Sequence, residues 1–365
     1  MSFEQVHVRK DDLSDATLIE AELPPLADGA VRLEIESFSV TANNITYAVV
    51  GDGFKYWDFF PPAADNPEGL GIVPMWGHAQ VIESNSDEIA VGERVYGYIP
   101  MATHLDVIPG KVHEGGFIDV SGHRQPMSPV YNQYTRLAAD PEHDPAREAE
   151  RMIYSPLFKT GFIIEYFMRG EEWFGAPQVI LTSASSKTAM GLASVAKANS
   201  PDIKRIGLTS AGNVDFVEAT GLYDVVYAYN EVGNLTITDT VTVDFAGNAN
   251  LLEKLHEHFT ERLKYSCLVG ATHIEERSTF GGGSAPLPGP KPVLFFAPDH
   301  FVAFFKEHGA EKGGQMAAEA WMGFLDAVGD AVSIERLSGL EAARETYLEM
   351  LDGNVDPAKG IVIEL

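Results

Sequence analysis

The chain has 365 residues, 45% of them hydrophobic, which points to a folded protein too long for one ordinary core. Its 53 acidic against 26 basic residues give a net charge of −27, which argues against a nucleic-acid or anionic-membrane partner, because phosphates need a basic face. Cys267 is the only cysteine, so an intrachain disulfide and a cysteine-built zinc site are excluded; no apolar run reaches a membrane span, and Met-Ser-Phe-Glu-Gln carries no signal pattern, so a cytoplasmic protein is expected.

In chain order, residues 30–40 alternate as a strand with Val31, Leu33 and Ile35 on one face. Residues 41–50 predict a short helix, and residues 51–71 are rich in aromatics and prolines. Strands resume over 77–83 and 91–98, and this β-rich part extends to about Leu137. Asp140 to Pro145 reads as a boundary turn. A helix follows from Ala146, apolar from Phe158 to Arg169. Strands at Val179–Thr182, Ile203–Thr209, Val225–Tyr227, Thr240–Phe245 and Tyr265–Gly270 then alternate with helices, which predicts a parallel, doubly wound sheet. Residues 278–291 read as a Gly/Pro loop. A strand Val293–Ala297, a helical stretch over 301–324, a strand near Ile334, a helix Leu340–Leu351 and a final strand Gly360–Leu365 complete the reading.

The segment 179–198 is the most informative. A buried strand, a turn of small residues and a helix form the layout in which a helix N-terminus holds a diphosphate. The usual G-x-G-x-x-G glycines are replaced by Ser183, Ala184, Ser185, Ser186, Lys187 and Thr188, with no glycine before Gly191. Hydroxyls at this place either donate to a phosphate or simply cap the helix. The second strand ends in Leu208-Thr209-Ser210-Ala211-Gly212-Asn213, with no acid before Asp215. An acid there would favour NAD, so the pattern favours NADP(H), with Thr209, Ser210 and Asn213 as contacts. The alternative is an ordinary strand-to-helix turn.

Three pieces together resemble the medium-chain dehydrogenase/reductase superfamily, most of all its zinc-free quinone and enone reductases. Pro74-Met75-Trp76-Gly77-His78-Ala79 with Val91-Gly92-Glu93-Arg94-Val95-Tyr96-Gly97 resembles the "P-x-x-x-G-H-E … V-G-D-R-V-x-G" core of a GroES-like barrel. The strand–turn–helix at 179–198 and the return through Leu222-Tyr223-Asp224-Val225-Val226 resemble its nucleotide-binding half. The tail from Ile334 to Leu365 resembles its closing helix and strand. The resemblance implies an α/β protein: a GroES-like β-barrel domain, 1–140 completed by 325–365, and a Rossmann-like doubly wound parallel sheet domain, 141–324. Zinc relatives carry glutamate where Ala79 stands here, and His78 alone cannot hold zinc.

By the same resemblance, Asn44 and Tyr47 lie beside the substrate as catalytic groups, with Tyr47 donating to a carbonyl oxygen that gains charge. Tyr56, Trp57, Phe60 and Tyr131 wall an aromatic substrate pocket, or else form a satellite cluster under a long loop. Lys159 and Thr160 start the helix beneath the cofactor. Ser185, Ser186, Lys187, Thr188, Thr160, Gly270 and Phe296 join Thr209, Ser210 and Asn213 as cofactor contacts. The implied reaction is NADP(H)-dependent reduction of a small conjugated carbonyl or quinone without zinc, in a homodimer paired through the edge strand Val293–Ala297. A pseudoenzyme, a small-molecule binder or a lyase on the same scaffold is the alternative. Cys267 reads as an inert core thiol, and His256 and His258 face different sides of a helix.

Overall fold

The computed structural model describes residues 2–64, 66–269, 287–328, 331–353 and 356–365. Alternating apolar residues build β1 (Ser2–Arg9), β2 (Asp12–Glu22) and β3 (Val31–Val40), followed by the short helix α1 (Ala42–Val49). Six more strands and a two-residue one come next: β4 (Leu70–Gly71), β5 (Pro74–Ser84), β6 (Arg94–Pro100), β7 (His104–Val107), β8 (Pro109–His113), β9 (Gly116–Asp119) and β10 (Gln133–Arg136). β1 pairs with β2 and β4, while β3-β5-β6-β10-β9-β8 form an antiparallel run with β7 on β3. Val31, Leu33, Ile35, Met75, Ala79, Val81 and Val95 supply its buried side chains.

The helix α2 (Glu148–Gly170) contains Pro156. Proline has no N–H for the carbonyl four residues earlier, that of Met152. Ser39 Oγ donates to that carbonyl at 2.6 Å, so the buried acceptor is satisfied from β3. Lys159 and Thr160 lie in the middle of this helix rather than at its start, because the helix runs through the proline.

Tyr154–Ser333 forms one unit; Met1–Ile153 with Ile334–Leu365 forms the other. In the former, β11 (Gln178–Thr182), α3 (Lys187–Asn199), β12 (Lys204–Thr209), α4 (Val214–Ala219), β13 (Val225–Ala228), β14 (Thr240–Asp244), α5 (Ala249–Phe259), β15 (Leu263–Leu268) and β16 (Val293–Leu294) alternate strand and helix. The sheet is parallel, in the order β13-β12-β11-β14-β15-β16. The chain runs outward through β12 and β13 and then returns to the other side of β11. The strand order therefore reverses between β11 and β14, the place where such sheets bind ligands beyond their carboxyl ends. All of β11 is buried, as a strand covered on both faces requires.

The expected strand Val293–Ala297 stops at Leu294. Phe296 is the N-cap residue of α6 (Ala297–His308), and Pro298 in its first turn suits a helix start, not a ladder. The helical stretch expected over 301–324 is two helices, α6 and α7 (Ala310–Val328), broken at Gly309 with φ +77°. β17 (Ser333–Ser338), α8 (Gly339–Leu351) and β18 (Lys359–Glu364) end the chain, and β18 pairs antiparallel with β3. Among the described residues, no helix is long and apolar enough to cross a membrane.

α2 and α3 approach at glycines. A Cβ on Gly161 would lie 2.5 Å from Leu192 N and 2.7 Å from Thr188 O, and one on Gly191 would lie 3.0 Å from Phe158 Cα. Gly161→Ala should therefore cost about 1–3 kcal/mol through forced separation of the helices. Gly170→Ala, where nothing lies within 4 Å, should be neutral or stabilise slightly. Urea unfolding of the two variants checks this, and equal stabilities would contradict the close contact.

Candidate functional site

The turn between β11 and α3 adopts the tight conformation without glycine. Ser183 takes a left-handed backbone, φ +48°, where a glycine would sit without strain. Ser186 N donates to Ser183 O at 2.8 Å and closes the turn. Ser186 is also the N-cap of α3, its Oγ accepting from Ala189 N at 3.3 Å. Ala184 N donates to Leu208 O at 3.0 Å and Tyr223 OH donates to Ala184 O at 2.8 Å, which tie the turn to β12 and its neighbour. The first turn of α3 holds no acid.

Several predicted cofactor residues meet here. Ser185 Oγ accepts from Thr209 Oγ1 at 3.4 Å and from Asn213 Nδ2 at 3.3 Å. Ser185 and Thr209 are buried and Asn213 is half-buried; Ser210 is exposed. Lys187 and Thr188 are half-buried on the first turn of α3. Thr160 lies on α2 next to Gly161, which packs against Thr188, and its Oγ1 donates to Pro156 O at 3.2 Å. Phe296 caps α6, and Gly270 lies outside the described residues.

Sequence reasoning missed a buried carboxylate beside this turn. Thr182 Oγ1 donates to Asp244 Oδ1 at 2.6 Å, and the same carboxylate oxygen accepts from Ala246 N at 3.1 Å and Gly247 N at 3.3 Å. The pair joins the carboxyl ends of β11 and β14 at the switch point. A Thr closing one predicted strand and an Asp next to the end of another were the available signal.

In the other unit, the predicted substrate residues divide. Tyr47 and Tyr56 rings lie 4.6 Å apart, and Tyr56 and Tyr131 lie 5.6 Å apart, edge to face. Tyr56 OH and Tyr131 OH share a 2.9 Å hydrogen bond. Trp76 Nε1 donates to Tyr47 OH at 3.1 Å. Tyr98 belongs to the same cluster, its ring 4.9 Å from Tyr131 and 5.4 Å from Tyr47. Period-2 alternation on β5 and β6, which pairs Trp76 with Tyr98 and His78 with Tyr96, was the signal that would have found Trp76 and Tyr98. Burial holds all four phenols above the ordinary tyrosine range, so they stay protonated at neutral pH.

Asn44 and Trp57 are placed differently from expectation. Asn44 Oδ1 accepts from Thr41 N at 2.6 Å, and its Nδ2 donates to Pro74 O at 2.8 Å. Its amide joins the start of α1 to β5 and so acts on position. Trp57 is wedged against Gly51 and Gly71, where any Cβ would collide with the indole. Phe60 backs the cluster, its ring 5.8 Å from Tyr98 and 5.1 Å from the Arg124 guanidinium carbon. It also lines a cavity of about 220 Å³ with Phe59 and Arg124.

His78 is fully buried on β5 and neither ring nitrogen has a hydrogen-bond partner. Among the described residues, no group of three or more His, Cys, Asp or Glu could hold a metal ion. Burial lowers the His78 pKa to about 3, so the folded protein keeps the ring neutral. An unfolded chain takes up that proton below about pH 6.5. Stability is therefore present above pH 6.5 and lost as pH falls from there toward 3. Between pH 6.5 and 4.5, the His78→Phe variant should lose stability less steeply than the natural protein, by up to about 1.4 kcal/mol per pH unit. Urea midpoints across that range test it, and parallel slopes would contradict it.

The chain belongs to the family described as "Protein of unknown function (DUF2855)", whose model matches residues 38–356. No curated protein matches the sequence. Among solved structures, it is similar to CurA from Vibrio vulnificus in complex with NADPH, at 16% identity and TM-score 0.58, covering 99% of this chain and 98% of that one. It is similar to the quinone oxidoreductase from Coxiella burnetii, at 14% identity and TM-score 0.56, covering 100% of both chains. It is also similar to the yhdH oxidoreductase from Salmonella enterica in complex with NADP, at 13% identity and TM-score 0.52, covering 99% of both. At these identities the likeness establishes the fold, a GroES-like domain and a Rossmann-like domain as in medium-chain dehydrogenase/reductases.

Proposed function

We propose that this protein is an NADP(H)-dependent, zinc-independent oxidoreductase that reduces a conjugated carbonyl or a quinone by direct hydride transfer. The observation that carries the reading is the hydrogen-bonded set of Ser185, Thr209 and Asn213 at the carboxyl end of β12, with no acid before Asp215. Hydroxyl and amide donors suit a 2′-phosphate, whereas a carboxylate would repel it. The acid-free first turn of α3 and Lys187 suit the diphosphate. Solved neighbours of this fold carry NADPH or NADP, which supports the same cofactor class here.

NADP(H), when bound, supplies the hydride. The protein supplies position and a donor for the oxygen that gains charge. Tyr47 is that donor in this reading: Trp76 Nε1 holds its oxygen, which leaves the phenol proton to point at a substrate oxygen. Tyr56 and Tyr131 present aromatic faces to a flat substrate, and Asn44 holds α1 in place. A cytoplasmic homodimer, paired through the Val293–Leu294 edge, is part of the proposal.

One observation favours a second reading, a binder without turnover. The hydroxyls of the turn already bond within the protein: Ser186 caps α3 and Ser185 receives Thr209 and Asn213. Fluorescence titration separates the two. NADPH should saturate the protein, with NADH weaker by tenfold or more, about 1.4 kcal/mol. Lys187→Glu should weaken NADPH by a similar factor. Binding of neither nucleotide favours the second reading, and unchanged affinity in the variant removes Lys187 from the site. With NADPH bound and an enone supplied, Tyr47→Phe should lower kcat by about a hundredfold, read from NADPH absorbance.

A further inference from the structure

The tyrosine cluster holds more donor protons than the hydrogen bonds among its members use. Trp76 Nε1–H is used by Tyr47 OH. The Asn43 side chain also bonds that oxygen. With the Trp76 indole donating to it, the Tyr47 hydroxyl has its own proton to offer. Tyr56 and Tyr131 share one proton between them, which leaves the other for a further acceptor. Tyr98 is fully buried, and its hydroxyl has no hydrogen-bond partner. Its ring meets those of Tyr47, Tyr131, Phe59 and Trp76 at 5.4, 4.9, 5.1 and 5.1 Å.

A buried hydroxyl without a partner has lost its hydrogen bonds to water and gained none in return. None of the neighbouring phenols takes up the Tyr98 proton, and an acceptor from outside can. Trp76 and Tyr131, the half-buried members of the cluster, are the ones an entering molecule meets first. The aromatic walls favour a flat acceptor, and the surplus protons favour an oxygen that carries negative charge.

We propose that Tyr98 is a second oxyanion donor, acting with Tyr47 on one carbonyl or enolate oxygen of a flat conjugated ligand. The inference deepens the reductase reading and rests on it for the identity of the substrate; the acceptor site itself rests on the cluster alone. Two phenol donors on one oxygen select ligands whose oxygen gains charge over saturated ketones.

The probe is p-nitrophenol, a flat ligand whose anion absorbs in the visible and which needs neither cofactor nor turnover. The natural protein should bind p-nitrophenolate and lower the pH at which bound nitrophenol ionises. Tyr98→Phe and Tyr47→Phe should each weaken that binding tenfold or more. Tyr98→Phe removes an unpaired polar atom, so its melting temperature should be unchanged or higher, which shows that the variant is folded. Equal p-nitrophenolate affinity in the natural protein and in folded Tyr98→Phe would overturn the inference, as would no binding by the natural protein. If p-nitrophenolate binds as expected while NADPH is neither bound nor consumed, the reductase reading fails and the acceptor site stands. If NADPH reduces an enone equally fast in the natural protein and in Tyr98→Phe, the reading stands and Tyr98 is removed from it.

Discussion

Two helix backbones touch where Gly161 meets Leu192 and Thr188, and that contact fixes how closely the first turns of α3 lie against α2. A helix that starts beside a buried strand must lie close to its neighbours if its first N–H groups are to face a ligand. In a glycine-rich fingerprint, separate glycines serve the turn, the ligand approach and the helix packing. Here the packing role rests on Gly161 and Gly191. The turn is made by Ser183 in a left-handed conformation, and the places that face the cofactor in the proposed reading carry hydroxyls. The three tasks are distributed over different residues, with the same strand-to-helix geometry.

Beneath the turn, Thr182 and Asp244 join β11 to β14 at the point where strand order reverses. The buried carboxylate accepts the Thr182 hydroxyl and two backbone N–H groups, which offsets the cost of burying it. Polar groups in the other unit follow the same rule. Arg94 bridges Glu36 and Glu148 at 2.7 and 2.8 Å, and Arg32 joins Asp106 at 2.8 Å. The Glu148 pKa falls to about 2: burial would raise it, and the hydrogen bonds from Arg94 and His143 outweigh that. Against this background of paired groups, the Tyr98 hydroxyl and the His78 ring, like the Thr242 hydroxyl of the other unit, lack a hydrogen-bond partner. The first two differ in setting. Tyr98 lies among phenols and an indole, whereas His78 lies against the Tyr96 ring, 5.1 Å away.

Much of the fold was legible because it depends on short-range periodicity. β11 reads as a run of buried residues, β3 as an alternation, and α3 as a small-residue helix after a serine cap. The boundaries that failed were ones where a local rule met a neighbour. Apolar residues through Phe296 suggested a longer strand, and Pro298 turned the segment into a helix. The resemblance put a helix start at Lys159, but the helix begins at Glu148 and runs through Pro156, where Ser39, from a distant strand, satisfies the carbonyl that the proline abandons.

For the site, the sequence by itself determined which residue types stand after each strand: hydroxyls, a lysine and an amide, with glycines and an early acid missing. Those choices follow from position along one element, and the chain order records them. Only the tertiary structure decided which of them meet. Ser185 contacts Thr209 and Asn213 across two strand ends, while Thr160 turns back on its own helix. Asn44 was legible as a polar group near Tyr47, but its amide is engaged by Thr41 and Pro74. Whether a donor is spent or unspent depends on partners far away in sequence. No periodicity records that, which is why Tyr98, an ordinary strand tyrosine in the sequence, became visible only once its neighbours were in place.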